Sequence, residues 1–293
     1  MFYFKNNYFV IVCSIFFICT MAAATRRMSQ KQRISPQKAT EPTQQKPIII
    51  FDCINVLFKE SQAGFAQKVG YGVLASYALT HWKNPGCRCL DMLHAISKQN
   101  DQQPHIVMTL QEKTMPRCIV ELHEGKKTCQ EVKNEIKNAI EQLETAHFFS
   151  SAKEKNLMQT IMNLILDPTI VAYVTEPIKP MVSLAQKLKN NGYSLYMCAN
   201  VPAEFYALLQ NKYASILSLF DGIIISSHIK TAKPHESVFK QLLSTYNLDP
   251  KQCIVIDNAK ENMTAAQSLG MQAIVYEKQS PLTTYLKKRG VVI

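Results

Sequence analysis

Asp52 is the residue of this chain best placed to do chemistry. It follows the apolar run Ile48-Ile49-Ile50-Phe51 and precedes Cys53-Ile54-Asn55-Val56-Leu57-Phe58, so a β-type segment delivers one carboxylate to a short turn. In an open parallel sheet, the edge where such strands end is where ligands bind. A carboxylate there can attack an electrophile or hold a cation. Three polar residues lie in comparable places further along: Asn200 after Ser194-Leu195-Tyr196-Met197-Cys198-Ala199, Lys233 before Pro234, and Asp257 after Cys253-Ile254-Val255-Ile256. All follow strand-like runs, and one sheet edge can gather them beside Asp52.

The elements that must do the gathering alternate plainly after Ile178. Apolar spacing predicts helices over 181–190, 203–210, 236–246 and 261–269, and strands over 194–198, 222–226, 253–256 and 273–276. Strands alternating with helices specify a parallel sheet covered on both faces, an α/β Rossmann-like fold. Between Phe58 and Ile178 the pattern is helical instead, over 62–82, 89–98, 128–149 and 153–166, with Val132, Ile136, Ala139, Ile140 and Leu143 spaced by threes and fours. The stretch 104–122 reads as a loop or short strands. This divides the chain into a core domain of 47–58 plus 177–293 and an inserted helical cap of 59–176.

In this order, the four segments resemble motifs I to IV of the haloacid dehalogenase superfamily. Phe51-Asp52 matches the start of Phe-Asp-x-Asp-Gly-Val/Thr-Leu; 193–200 is similar to motif II, an apolar strand ending in Ser/Thr and often Asn. Lys233-Pro234 resembles motif III, and 253–258 with Glu261-Asn262 and Ala265-Ala266 resembles motif IV. The likeness covers roughly 46–280 and implies the phosphatase-like, helical-cap branch. On that resemblance Asp52 attacks phosphorus to form an aspartyl-phosphate. Mg²⁺ is held by Asp52, the Ile54 carbonyl and Asp257, Lys233 bridges the carboxylates and offsets phosphate charge, and Asn200 donates to a phosphoryl oxygen. The residues allow plainer roles too: Asp52 capping its turn, Asp257 capping a helix or pairing with Lys233, Lys233 solvated before a helix-starting Pro, and Asn200 capping the helix that contains Glu204. Asn258 and Asn262 suit a metal shell or ordinary turn and cap chemistry.

Two departures bear on activity. The family's second Asp is Ile54 here, and its motif II hydroxyl is Ala199. Ile54 has no proton for a leaving group, a loss of about 10²–10⁴-fold in rate, and a missing donor of the Ala199 kind costs roughly another 10²-fold. The expectation is therefore a phosphatase-type hydrolase with weak or specialised activity on a small phosphorylated molecule. The alternative is a catalytically inactive ligand- or protein-binding domain. A third reading, dehalogenation, needs a cationic cap residue, for which Arg88 is the candidate, and the hydroxyl that Ala199 lacks. Trp82 and His81 lie near the same cap loop and could face substrate or pack at a helix end; His228 and His235 read as surface residues.

The 293 residues carry a net charge of +11 and 47% hydrophobic residues, which excludes wholesale disorder. Much of the charge sits in the first 46 residues, where seven basic side chains face Glu41 alone. Lys5, the apolar run 9–20 and Ala22-Ala23-Ala24 predict a signal peptide over 1–24 and an exported protein, periplasmic or secreted, with an uncleaved N-terminal membrane anchor as the alternative. Residues 25–46 read as a flexible basic linker able to touch anionic lipid. No basic-aromatic interleaving in the domain points to nucleic acid. Seven cysteines remain after the signal, an odd number that argues against a complete disulfide framework.

Overall fold

The computed structural model describes residues 46–81, 85–99, 109–110, 113–277 and 279–293. The segments expected as signal peptide and, apart from Lys46, as linker lie outside them, as do Trp82 and the rest of 82–84. No single described helix is long and apolar enough to cross a membrane.

Strand β1 (Ile48–Phe51) occupies the middle of a five-stranded sheet because it is apolar on both faces. Its neighbours are β6 (Leu195–Ala199) and β8 (Cys253–Asp257), and outside these lie β7 (Gly222–Ile225) and β9 (Gln272–Val275), giving the order β7-β6-β1-β8-β9. Every pairing is parallel, with Phe51 opposite Met197 on one side and Ile256 on the other. Successive side chains of β1 enter different cores. Ile49 and Phe51 pack with Met181, Leu184 and Leu188 of α8 (Lys179–Asn190), while Ile50 packs with Val238, Phe239 and Leu242 of α12 (Glu236–Tyr246). The expected α/β Rossmann-like sheet, covered on both faces, is thus observed. Truncating Phe239 to Ala, fully buried in this layer, would cost about 3–5 kcal/mol.

The chain leaves the sheet through β2 (Phe58–Glu60) and returns through β5 (Thr175–Pro177), which pair antiparallel with Lys59 opposite Glu176. Between them lie α1 (Gln62–Val69), α2 (Tyr71–His81), α3 (Pro85–Gln99), α4 (Arg117–His123), α5 (Cys129–Thr145), α6 (Ala152–Ile165) and α7 (Pro168–Val174). The first six of these helices bury their own apolar cluster, from Phe65 through Ile96, Ile136 and Ile161 to Leu166, while Ala172 of α7 packs in the cluster of the sheet. Helix α5 starts at a full capping box, Thr128 with Glu131, as its sequence favours. The single helix expected over 62–82 is broken at Gly70, whose φ of +100° lies outside helical geometry. The ambiguous stretch holds β3 (Thr109–Leu110), β4 (Lys113–Thr114) and α4.

The turn after α4 is seated on the core. Ser226 Oγ donates to the His123 carbonyl at 2.6 Å, Lys230 Nζ to the Gly125 carbonyl at 2.6 Å, and the Cys129 amide donates to Glu204 Oε2 at 3.1 Å. Gly125, at φ +64°, permits this approach: a Cβ there would stand 2.3 Å from the Ser227 carbonyl oxygen.

Candidate active site

The turn after β1 is fixed by its backbone. The Asp52 amide donates to the Ile256 carbonyl at 2.8 Å, the Cys53 carbonyl accepts from Leu57 and Phe58 at 2.9 Å each, and the Asn55 amide donates to the Phe58 carbonyl at 2.6 Å. Asn55 takes φ +64°, a left-handed conformation that Asn adopts more readily than most residues, so the turn forms without the Gly of the resembling motif. Among the described residues nothing donates to the Ile54 carbonyl.

Lys233 ties the site together. Its ammonium donates to Asp52 Oδ1 at 2.8 Å, Asp257 Oδ2 at 2.6 Å and the Cys198 carbonyl at 2.8 Å, which uses all three protons. Burial pushes the Lys233 pKa down, but Asp257 and Asp52 outweigh it and leave the ammonium more tightly protonated than a free lysine. Asn200 clamps the lysine's backbone: its Oδ1 accepts the Lys233 amide at 2.9 Å and its Nδ2 donates to the Lys233 carbonyl at 2.8 Å. The second amide hydrogen of Asn200 has no partner among the described residues. Asn200 does not cap the next helix, α9 (Ala203–Lys212), whose N-cap is Pro202.

The two carboxylates differ. Asp52 keeps 11% of its side-chain surface open at the sheet edge, whereas Asp257 is sealed. Burial raises the Asp52 pKa to about 6, opposed by the Lys233 charge and reinforced by Asp257. Asp257 Oδ1 accepts from the Ala259 amide at 2.9 Å and from Asn262 Nδ2 at 3.0 Å; Oδ2 accepts from Asn262 Nδ2 at 2.9 Å and from Lys233. The sequence suggests Asn262 only as part of a metal shell or a turn; here it holds this carboxylate.

Ile54 is half-buried, and Ala199 is fully buried in the apolar cluster that contains Phe51 and Val201. Neither brings a proton or a hydroxyl to Asp52. The thiols beside the site are inert at neutral pH, since burial pushes Cys198 up to about 12 and Cys53 well above its ordinary value. Six of the seven described cysteines are buried, and none is in a disulfide with another described residue. His228 and His235 are exposed, as their sequence context suggests. Arg88 is engaged elsewhere, because its Nε donates to Glu154 Oε1 at 2.7 Å, its Nη2 donates to the Phe148 carbonyl at 2.5 Å, and the guanidinium lies 3.9 Å from the Phe148 ring centre. That engagement inside the cap leaves dehalogenation without its candidate cation. Ser226 is a residue that sequence reasoning missed: its Oγ accepts the Val201 amide at 3.1 Å while it donates to the cap.

A divalent cation, which the family implies, finds hard oxygen donors here in the Asp52 carboxylate and the free Ile54 carbonyl. These fit an ion such as Mg²⁺, which keeps several of its waters and takes one or two carboxylates plus substrate oxygens. With Asp52, Asp257 and Lys233 ionised, the cluster carries one excess negative charge, which also favours a cation.

A Rossmann-like sheet with an inserted helical layer, and an Asp-Lys-Asp cluster at its carboxyl edge, defines a class of hydrolase. The haloacid dehalogenase-like hydrolase family matches residues 47–270, and the chain belongs to that family. The sesquiterpene phosphatase astK of Aspergillus oryzae is 34% identical over 96 residues, 32% of this chain and 48% of that protein. The chain thus spans about half the length of that relative. The fructose-1-phosphate phosphatase YqaB of Escherichia coli is 24% identical over 139 residues, 47% of this chain and 69% of that protein. A haloacid dehalogenase family enzyme from Bacteroides thetaiotaomicron superposes with a TM-score of 0.51 at 13% identity, over 82% of this chain and 98% of that one, a likeness of fold. That enzyme has also been solved in complex with magnesium and inorganic phosphate.

Proposed function

We propose that the chain is a phosphatase-type hydrolase that acts on a small phosphorylated molecule whose leaving group departs without a proton. The observation that carries this reading is the Lys233 bridge, which fixes Asp52 at the open sheet edge while Ile54 stands two residues on. The ionised Asp52 oxygen attacks phosphorus, the bond to the leaving oxygen breaks, and that oxygen takes the electron pair. Water then attacks the phosphorus of the aspartyl-phosphate, which returns the carboxylate and releases inorganic phosphate. A cation held by Asp52 and the Ile54 carbonyl would supply neutralisation of the charge on the transferring group. Lys233 contributes its field and the remaining Asn200 hydrogen can orient one phosphoryl oxygen.

Because Ile54 cannot protonate an alkoxide, turnover of alkyl esters should trail that of acyl or aryl phosphates by about 10²–10⁴-fold. The phosphatases among the relatives make sugar phosphates and isoprenoid phosphates sensible members of the screen. The test is release of inorganic phosphate from acetyl, aryl, sugar and isoprenoid phosphates with and without Mg²⁺, with Asp52→Asn as control. Turnover that depends on Asp52 and favours the activated esters supports the reading. A second reading, an inactive ligand-binding domain, is favoured by the full use of Lys233's protons, and it gains if a folded protein turns over none of them. Export through the N-terminal apolar segment, or anchoring by it, belongs to the same proposal and rests on the 1–24 pattern alone; intact Met1 on cytosolic protein would overturn it.

A further inference from the structure

The family resemblance makes Asp257 a metal ligand, and the observed hydrogen bonds give it a different role. A carboxylate offers about four lone-pair positions. Those of Asp257 are taken by the Lys233 ammonium, the Ala259 amide and two contacts from Asn262, and its side chain is fully buried. The Asp257–Lys233 contact of 2.6 Å is the shorter of the lysine's two carboxylate contacts, so this pair is the closed one and Asp52 bears the excess charge. The next residue, Asn258, is half-buried, and its amide makes no hydrogen bond with any described residue.

We propose that Asp257 is the anchor that positions Lys233, and that a divalent cation enters this site only together with a phosphate, through Asp52 and the Ile54 carbonyl. Asn258 is then the position at which a second carboxylate would complete a free-standing metal site. One carboxylate and one carbonyl dehydrate Mg²⁺ too little to hold it alone, and the phosphoryl oxygens supply what the protein lacks. The inference deepens the phosphatase-type reading and rests on it only for the phosphate.

The experiment is titration of full-length protein with Mn²⁺, read by electron paramagnetic resonance of the free ion, and with Mg²⁺ by calorimetry, each with and without inorganic phosphate. Wild type should bind neither ion at millimolar concentration alone and should bind both at least about tenfold tighter with phosphate. Asn258→Asp should bind Mn²⁺ without phosphate, at least about tenfold tighter than wild type. Asp257→Asn, which frees Lys233, should keep its cation binding dependent on phosphate while lowering thermal stability. Tight binding to wild type without phosphate, abolished in Asp257→Asn, would make Asp257 the ligand and overturn the assignment. A folded Asn258→Asp with no gain would overturn the placement of that residue. Should wild type bind no cation even with phosphate while Asn258→Asp gains one, the anchor assignment stands and the phosphatase-type reading is what fails.

Discussion

The core and the cap each bury a carboxylate beside a cation, and the two arrangements come out opposite. In the cap, Glu154 accepts from Tyr77 at 3.1 Å, from Arg88 at 2.7 Å, and from the Ser150 amide and hydroxyl at 2.6 Å each. Burial raises its pKa, but the Ser150 and Arg88 hydrogen bonds outweigh that and bring it down to about 2. In the core, Asp52 accepts from the Lys233 side chain and the Cys53 backbone, fewer donors than Glu154 has, burial wins, and the pKa rises to about 6. A carboxylate whose lone pairs are filled is a strut. One left partly unfilled at an open edge is able to react.

The largest effect that can break this comparison is on turnover. Asp52→Asn removes the attacking charge and should lower phosphate release by at least about 10³-fold. Its stability at pH 7 should be no lower than wild type, because the substitution removes the excess carboxylate and leaves Lys233 paired with Asp257. A drop of many degrees in thermal unfolding would mean that Asp52 is a strut like Glu154.

Repair of the site comes next. Ile54→Asp returns a proton donor two residues after Asp52, and alkyl phosphate turnover should rise by about 10²–10⁴-fold, with a smaller rise for aryl esters whose leaving groups need the proton less. Ala199→Ser is less promising than the motif suggests, since the side chain is sealed among apolar neighbours and an unpaired hydroxyl there costs about 1–3 kcal/mol. The double variant should therefore be less stable than Ile54→Asp alone. Equal alkyl and aryl gains, measured side by side, would show that Ile54 is not the lesion.

Glu154→Ala tests the other side of the comparison. It strands the Arg88 guanidinium within the cap and should destabilise by about 3–5 kcal/mol, read by denaturant unfolding, while Asp52-dependent turnover per folded molecule stays within about threefold. A change confined to turnover would place the pair in the site after all.

These contrasts also mark what the sequence could carry. Asp52, Asn200 and Asp257 were legible because each ends or directly follows a strand whose apolar run is local information, and a parallel sheet brings such ends to one edge. The sheet and the helices α5, α6 and α12 follow from the same local periodicity. Lys233 as the bridge between the two carboxylates followed from the resemblance, but the other long-range partnerships were not legible. Arg88 meets Glu154 across 66 positions and Ser226 meets His123 across 103, and nothing in either neighbourhood encodes the meeting. Asn262 was visible as a polar residue of the fourth motif, but its bond to Asp257 is a matter of helix orientation. Four-residue helices such as Ala214–Leu217 and Ser226–Ile229 are too short for a period to register.

The smallest effect is also the one that separates the two carboxylates by sign. Asp52 binds its proton more tightly in the folded state, about 6 against an ordinary 3.8, so its contribution to stability is lost as pH rises through that window. Glu154 binds its proton less tightly when folded, about 2 against 4.5, so its contribution is present above the ordinary value and lost as pH falls towards 2. Turnover needs Asp52 ionised and should fall about tenfold per pH unit below 6. Unfolding followed from pH 3 to 8 should therefore show Asp52→Asn gaining on wild type as pH rises from about 4 to 6, while Glu154→Gln loses most against wild type above about pH 4.5. If both variants shift with the same sign, burial is not the dominant influence on Asp52, and Lys233 holds it as firmly as Arg88 and Ser150 hold Glu154.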